Sequence, residues 1–160
     1  MGVIVKIISF TIFLAAFLFC AVGYGAPWWI EFDGAGVVSY GLFQWCLHIG
    51  DELNCETLDT SLWSEKHKAT VAMMTIGLAV NVATIVLYGM TFCGDRSVKS
   101  PAGASLFAGI CQLIGVIVYG SDYVDAIDYL DWAFWVACVG GAGHIANSII
   151  TFILDCISCC

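Results

Sequence analysis

Residues 69–93 read ATVAMMTIGLAVNVATIVLYGMTFC. No charged side chain and no Pro interrupts them. A helix needs about 20 apolar residues to cross a hydrocarbon core of roughly 30 Å, so the stretch predicts a membrane span. Three further runs have the same character, 7–25, 102–120 and 132–154. Lipid offers no water to satisfy peptide groups, which leaves helices as the secondary structure for such runs. The expected architecture is an all-α transmembrane four-helix bundle, one membrane domain over residues 1–160.

Composition agrees. Of the 160 residues 61 % are hydrophobic and 11 % charged, too few polar groups for the shell of a soluble domain. The net charge of −8, with only five Lys and Arg, excludes the basic patch that nucleic acid requires. The first run has some marks of a secretory signal peptide, with Lys6 before it and Gly23, Gly25 and Ala26 after. Its apolar core is long for one, so it reads as a retained helix.

The connections are unequal. Residues 26–68 form a long first loop, 94–101 a short polar one, and 121–131 a short acidic one. With both termini in the cytoplasm, Lys6, Arg96 and Lys99 lie inside, against Lys66 and Lys68 outside. That distribution favours this orientation only slightly. A chemical argument is stronger. Cys46 and Cys55 lie close together in the loop best able to form a disulfide, and disulfides persist in oxidising compartments. The alternative is two free loop thiols. Within the loop, residues 36–49 read GVVSYGLFQWCLHI, rich in β-branched and aromatic types and bounded by Gly34 and Gly50. That pattern predicts a strand or hairpin, hence a small extracellular antiparallel sheet stapled by Cys46–Cys55.

Trp29, then Gly41-Leu42-Phe43, then Cys46 and Cys55 resemble the W…GLW…C…C signature of the claudin, peripheral myelin protein and epithelial membrane protein superfamily. The resemblance spans the whole chain. Residues 115–121, GVIVYGS, and 131–135, DWAFW, look like that superfamily's third and fourth helices. Phe43 stands where Trp is usual, with Trp45 two positions on and expected to share its strand face. Lys66 and Lys68 stand in the region where claudins carry an Arg, and the chain closes on Cys159-Cys160 where many claudins have a Tyr-Val-like tail.

The resemblance implies a claudin-like structural protein of the plasma membrane. It would mediate cell adhesion at tight junctions and form an epithelial paracellular barrier or a cation-favouring pore. It would associate with membrane lipid, with itself in cis and in trans, and with junction partners. The alternative is an auxiliary subunit of an ion channel or other membrane complex. In cation-selective claudins an acid follows the second loop cysteine, so the resemblance implies an ion-selecting role for Glu56. The rival reading is a merely solvated carboxylate.

Other residues have plainer readings. Cys93, Cys156, Cys159 and Cys160 border the helices and are candidates for S-acylation. Asn81, Gln112, His144 and Asn147 lie in apolar runs, where interhelical hydrogen bonding is the expected role. Asp122, Asp125, Asp128 and Asp131 recur every third residue. The spacing departs from a calcium loop and reads as a solvated acidic rim. No nucleophile elbow, phosphate loop or metal motif is present, so no enzymatic activity, cofactor or metal is expected.

Overall fold

The computed structural model describes residues 3–33, 37–50, 52–93 and 97–158. Four helices are long and apolar enough to cross a membrane. They are α1 (Val3–Gly25), α2 (Glu65–Phe92), α3 (Lys99–Gly120) and α4 (Trp132–Ser158). Their polar ends reach past the apolar runs for local reasons. At α2 the Ser64 Oγ accepts the His67 N–H at 3.1 Å, and Glu65 lies in the first turn, where the helix dipole favours an acid. Pro101 is taken into the first turn of α3, where its missing N–H costs nothing.

Small residues and polar side chains join the helices. A Cβ added to Gly140 would lie 2.8 Å from the Cys20 N and 2.9 Å from the Ala16 O, so α1 and α4 touch backbone to backbone there. Ser9 on α1 meets the Tyr88 hydroxyl of α2 at 2.8 Å and the Thr151 hydroxyl of α4 at 2.6 Å. His144 is fully buried; Nε2 lies 3.0 Å from Asn81 Nδ2 and Nδ1 lies 3.1 Å from Ser105 Oγ. With Asn81 donating to Nε2, the ring proton sits on Nδ1 and goes to Ser105. Cys20 Sγ donates to Gln112 Oε1 at 3.1 Å. The polar residues of the apolar runs therefore form interhelical hydrogen bonds, as their position predicts. At the end of the bundle away from the sheet, Lys6 Nζ donates to Thr91 O at 2.9 Å, and Lys99 pairs with Asp155 at 3.4 Å.

Between α1 and α2 the chain forms a four-stranded antiparallel meander in the order β1-β2-β3-β4. The strands are β1 (Ile30–Asp33), β2 (Val37–Tyr40), β3 (Gln44–Ile49) and β4 (Glu52–Thr57). Of the strand or hairpin predicted over 36–49, the structure forms the hairpin, as the β2–β3 pair. Gly50, at φ 61°, occupies the left-handed region that the β3–β4 turn demands. The connection between α3 and α4 carries a 3-10 helix, Val124–Tyr129. Of the four aspartates that recur every third residue, Asp125 and Asp128 lie in it, one three-residue turn apart, and Asp122 and Asp131 flank it. A β-bridge between Ile30 and Leu130 ties this connection to the sheet.

Candidate functional site

The motif residues seat the sheet on the helix ends. Trp29 is fully buried, and its indole N–H donates to the Gly23 carbonyl at the end of α1. Its ring meets Tyr119 and Phe134 edge-on, at centroid distances of 4.8 and 5.9 Å. Gly41 is there because nothing larger fits. An added Cβ would lie 2.5 Å from the Ala26 O and 2.6 Å from the Pro27 Cα. Leu42 is fully buried, and its carbonyl meets His67 Nε2 at 2.8 Å. The carbonyl can only accept, so that nitrogen carries the proton. Phe43 lies in the turn before β3, packed between Tyr24 at 4.8 Å and Trp63 at 6.2 Å. The expectation that Trp45 shares its face is corrected here. Trp45 lies within β3 and stacks on Tyr40 of β2, because only Trp45 has its direction set by the pleat.

Cys46 and Cys55 are disulfide-bonded and stand opposite each other in the β3–β4 register. Their Cα atoms are 4.1 Å apart, a separation typical of the non-hydrogen-bonded pairs of an antiparallel ladder. The bond holds β4, whose six residues are all exposed. Glu56 stands opposite Trp45 in the register, next in sequence to the stapled Cys55.

Charge is unevenly compensated around the sheet. Both lysines of this side are paired, Lys66 with Asp122 at 2.7 Å and Lys68 with Glu65 at 2.9 Å. Asp59 caps the 3-10 turn Thr60–Leu62, accepting the Ser61 N–H at 2.9 Å. That backbone hydrogen bond is the largest cause holding its carboxyl below the ordinary range. Asp131 accepts the Trp132 N–H at 2.6 Å, an N-terminal contact of α4. Glu52, Glu56 and Asp128 are exposed, and among the described residues no cation pairs with them. The side chains of Asp33, Asp51 and Asp125 lie outside the described residues.

The remaining candidates lie at the other end. Cys93, just after α2, and Cys156, in the last turns of α4, are exposed free thiols. Cys159 and Cys160 fall outside the described residues. His67, Tyr119 and Tyr123 gather at the seam of sheet and bundle, a role the sequence reading did not assign. The contacts that join them, His67 with the Leu42 carbonyl and with the Tyr119 ring, link segments far apart in the chain, so no local pattern announces them.

The arrangement defines a multi-pass membrane protein. Four spanning helices carry a disulfide-stapled sheet at one end of the bundle. The PMP-22/EMP/MP20/Claudin family model matches residues 1–142, and the chain belongs to that family. No curated protein matches the chain.

Proposed function

We propose that the sheet is the working surface of a cell-contact protein. It faces outside, both chain ends face the cytoplasm, and copies associate within one membrane and across the gap to the next cell. The product is an epithelial barrier or a cation-favouring path at the junction. The observation that carries this reading is the surplus of carboxylates around an exposed, covalently held β4, with both lysines of that side already paired. A narrow path walled by such a surface focuses a negative potential and favours cations. The disulfide supports the orientation, since such bonds persist outside the cytoplasm.

Glu56 is the position to test. Exposed charges are screened beyond roughly 8 Å at physiological salt, so only a carboxylate at the constriction affects selectivity. Dilution potentials across monolayers expressing the wild type, Glu56→Gln and Glu56→Lys should show sodium preference falling in that order. Unchanged selectivity in both variants at normal surface abundance removes Glu56 from the path.

A second reading is an auxiliary subunit of a channel or other membrane complex. Ile49 and Leu53, 59 % and 51 % exposed at the free end of the β3–β4 hairpin, favour it, because an open strand edge with apolar neighbours suits a partner's outer domain. Stoichiometric co-purification of a channel in mild detergent, with no conductance added by the wild type, selects this reading over the first.

At the inner end, the exposed Cys93 and Cys156 suit S-acylation, which inserts an acyl chain beside the helices. Acyl-exchange labelling should find a thioester at one or both. Complete lack of labelling at every cysteine of that end rejects the assignment.

A further inference from the structure

A half-open cavity of about 370 Å³ lies between the sheet and the helix ends. This is within the range of small-molecule sites, roughly 300–1,000 Å³. Phe32 and Tyr40 line it from the sheet, Trp63 and His67 from just before and within the first turn of α2, and Tyr119 and Tyr123 from the end of α3 and the connection after it. The rings form a connected wall. Trp63 and His67 are 5.0 Å apart, His67 and Tyr119 6.1 Å, and Tyr119 and Tyr123 5.4 Å. On the sheet side Phe32 and Tyr40 stand 6.2 Å apart. Among the described residues no carboxylate, ammonium or guanidinium lines the cavity. Burial first, and the nearby Asp122 carboxylate second, raise the Tyr123 hydroxyl above its ordinary range, so it stays neutral.

These walls select by chemistry. An anion would find no cation in the described lining and would meet an acidic surround. An inorganic cation would give up its water for neutral hydroxyls alone, with no carboxylate in the described lining to replace it. A primary ammonium needs several strong hydrogen-bond acceptors, and the described lining offers only neutral hydroxyls, those of Tyr40, Ser64, Tyr119 and Tyr123. Asp122 is paired with Lys66, Leu42 O with His67 Nε2, and Ser64 Oγ with the His67 N–H. A quaternary ammonium needs no hydrogen bond, presents methyl groups to the rings and gains from their negative faces. The location adds to this. Trp132 and Trp135, 43 % and 50 % exposed at the start of α4, mark the same end of the bundle as an aromatic belt at headgroup level.

We infer that this cavity receives a quaternary ammonium group, from the headgroup of a choline phospholipid or from a soluble cation. It would sit as a wedge between sheet and bundle. The inference is independent of any junctional role.

The test uses the full chain in maltoside micelles and follows N-methyl proton resonances. Choline and tetramethylammonium should shift upfield and receive saturation from the aromatic protons. The neutral tert-butyl analogue of choline should bind about tenfold more weakly, the scale of a partly desolvated cation–π contact. Tyr123→Leu keeps apolar volume while removing a ring and should weaken choline severalfold. Phosphatidylcholine added to the micelles, against phosphatidylglycerol, separates the sources. Shifts from the lipid alone assign the site to the headgroup, and shifts from the free cations extend it to soluble ligands. Equal affinity for choline and its neutral analogue overturns the proposal, as does the absence of any N-methyl shift. Should Tyr123→Leu fail to fold, the choline pair measured on the wild type still decides.

Discussion

The two edges of the sheet differ in almost every respect. Beside β1, Trp29 and Ile30 are buried to 0 % and 1 % exposure, the Ile30–Leu130 bridge joins the strand to the other loop, and the Trp29 carbonyl accepts the Asp131 N–H at 3.0 Å. On β4 every side chain is exposed, and a single covalent bond to β3 supplements the ladder. One edge is fixed by packing and the other by pairing and chemistry. Burial commits the first to the fold. The second is free to vary in charge and shape without cost to the core, which suits a surface that meets other molecules.

Breaking the packed edge should have the largest effect. Trp29→Ala removes a fully buried ring and its hydrogen bond to the Gly23 carbonyl, with an expected loss of about 3–5 kcal/mol. Surface abundance in expressing cells measures it. Near-normal abundance would mean that the sheet holds its place without the Trp29 anchor.

Breaking the staple comes next. Cys46→Ser with Cys55→Ser should cost about 2–5 kcal/mol, chiefly by freeing the unfolded loop. Trp29 and Ile30 keep the first strand seated, so the damage should be confined to β3 and β4. Hydrogen exchange resolved by segment checks this, with protection lost over residues 44–57 and kept over 30–33. Equal loss across all four strands would erase the distinction between the edges. On β4 itself, Glu56→Gln should leave stability within about 0.5 kcal/mol, so any change in ion selectivity reports the site and not the fold.

The same contrast explains what could be read from the sequence. The helices were legible because lipid imposes a length and a composition on each span, and the runs 69–93 and 102–120 meet both. The motif Trp29, Gly41, Leu42, Cys46, Cys55 was legible through family resemblance. Its physical reason was not. Gly41 is required by the Ala26 and Pro27 backbone that passes over it, and nothing in the local sequence announces that contact. Residues 36–49 showed their strand character through Val37, Val38 and Tyr40, whereas Glu52–Thr57 did not, because an all-exposed edge strand lacks alternation. The separation of Phe43 from Trp45 turned on where the β2–β3 turn ends, a boundary that periodicity fixes poorly. Lys66–Asp122 and His67–Leu42 join segments far apart in the chain, so only the fold brings them together.

The smallest effect should come where β4 leads into α2. There the Asp59 carboxylate caps the turn Thr60–Leu62, and the Ser61 backbone hydrogen bond lowers its folded pKa. The sign follows from that direction. A group whose folded pKa is depressed adds stability above its unfolded value, about 3.9 for Asp, and loses it as pH falls through the folded value. At neutral pH the cap is fully formed, and it should weaken only below about pH 4. The carboxylate is fully exposed, so water competes for the same N–H and the effect stays local. Amide exchange at Ser61, corrected for intrinsic rates, should lose protection below that pH in the wild type. Asp59→Asn keeps an acceptor that does not titrate, so its Ser61 protection should be flat across the same range, while Asp59→Ala should lack it at every pH. A pH-dependent loss that persists in Asp59→Asn would assign the transition to another carboxylate of this acidic surface. Because the turn also carries Trp63 to the sheet, the ring contact of Trp63 with Phe43 should survive in all three proteins if packing, and not the cap, holds this end of the sheet.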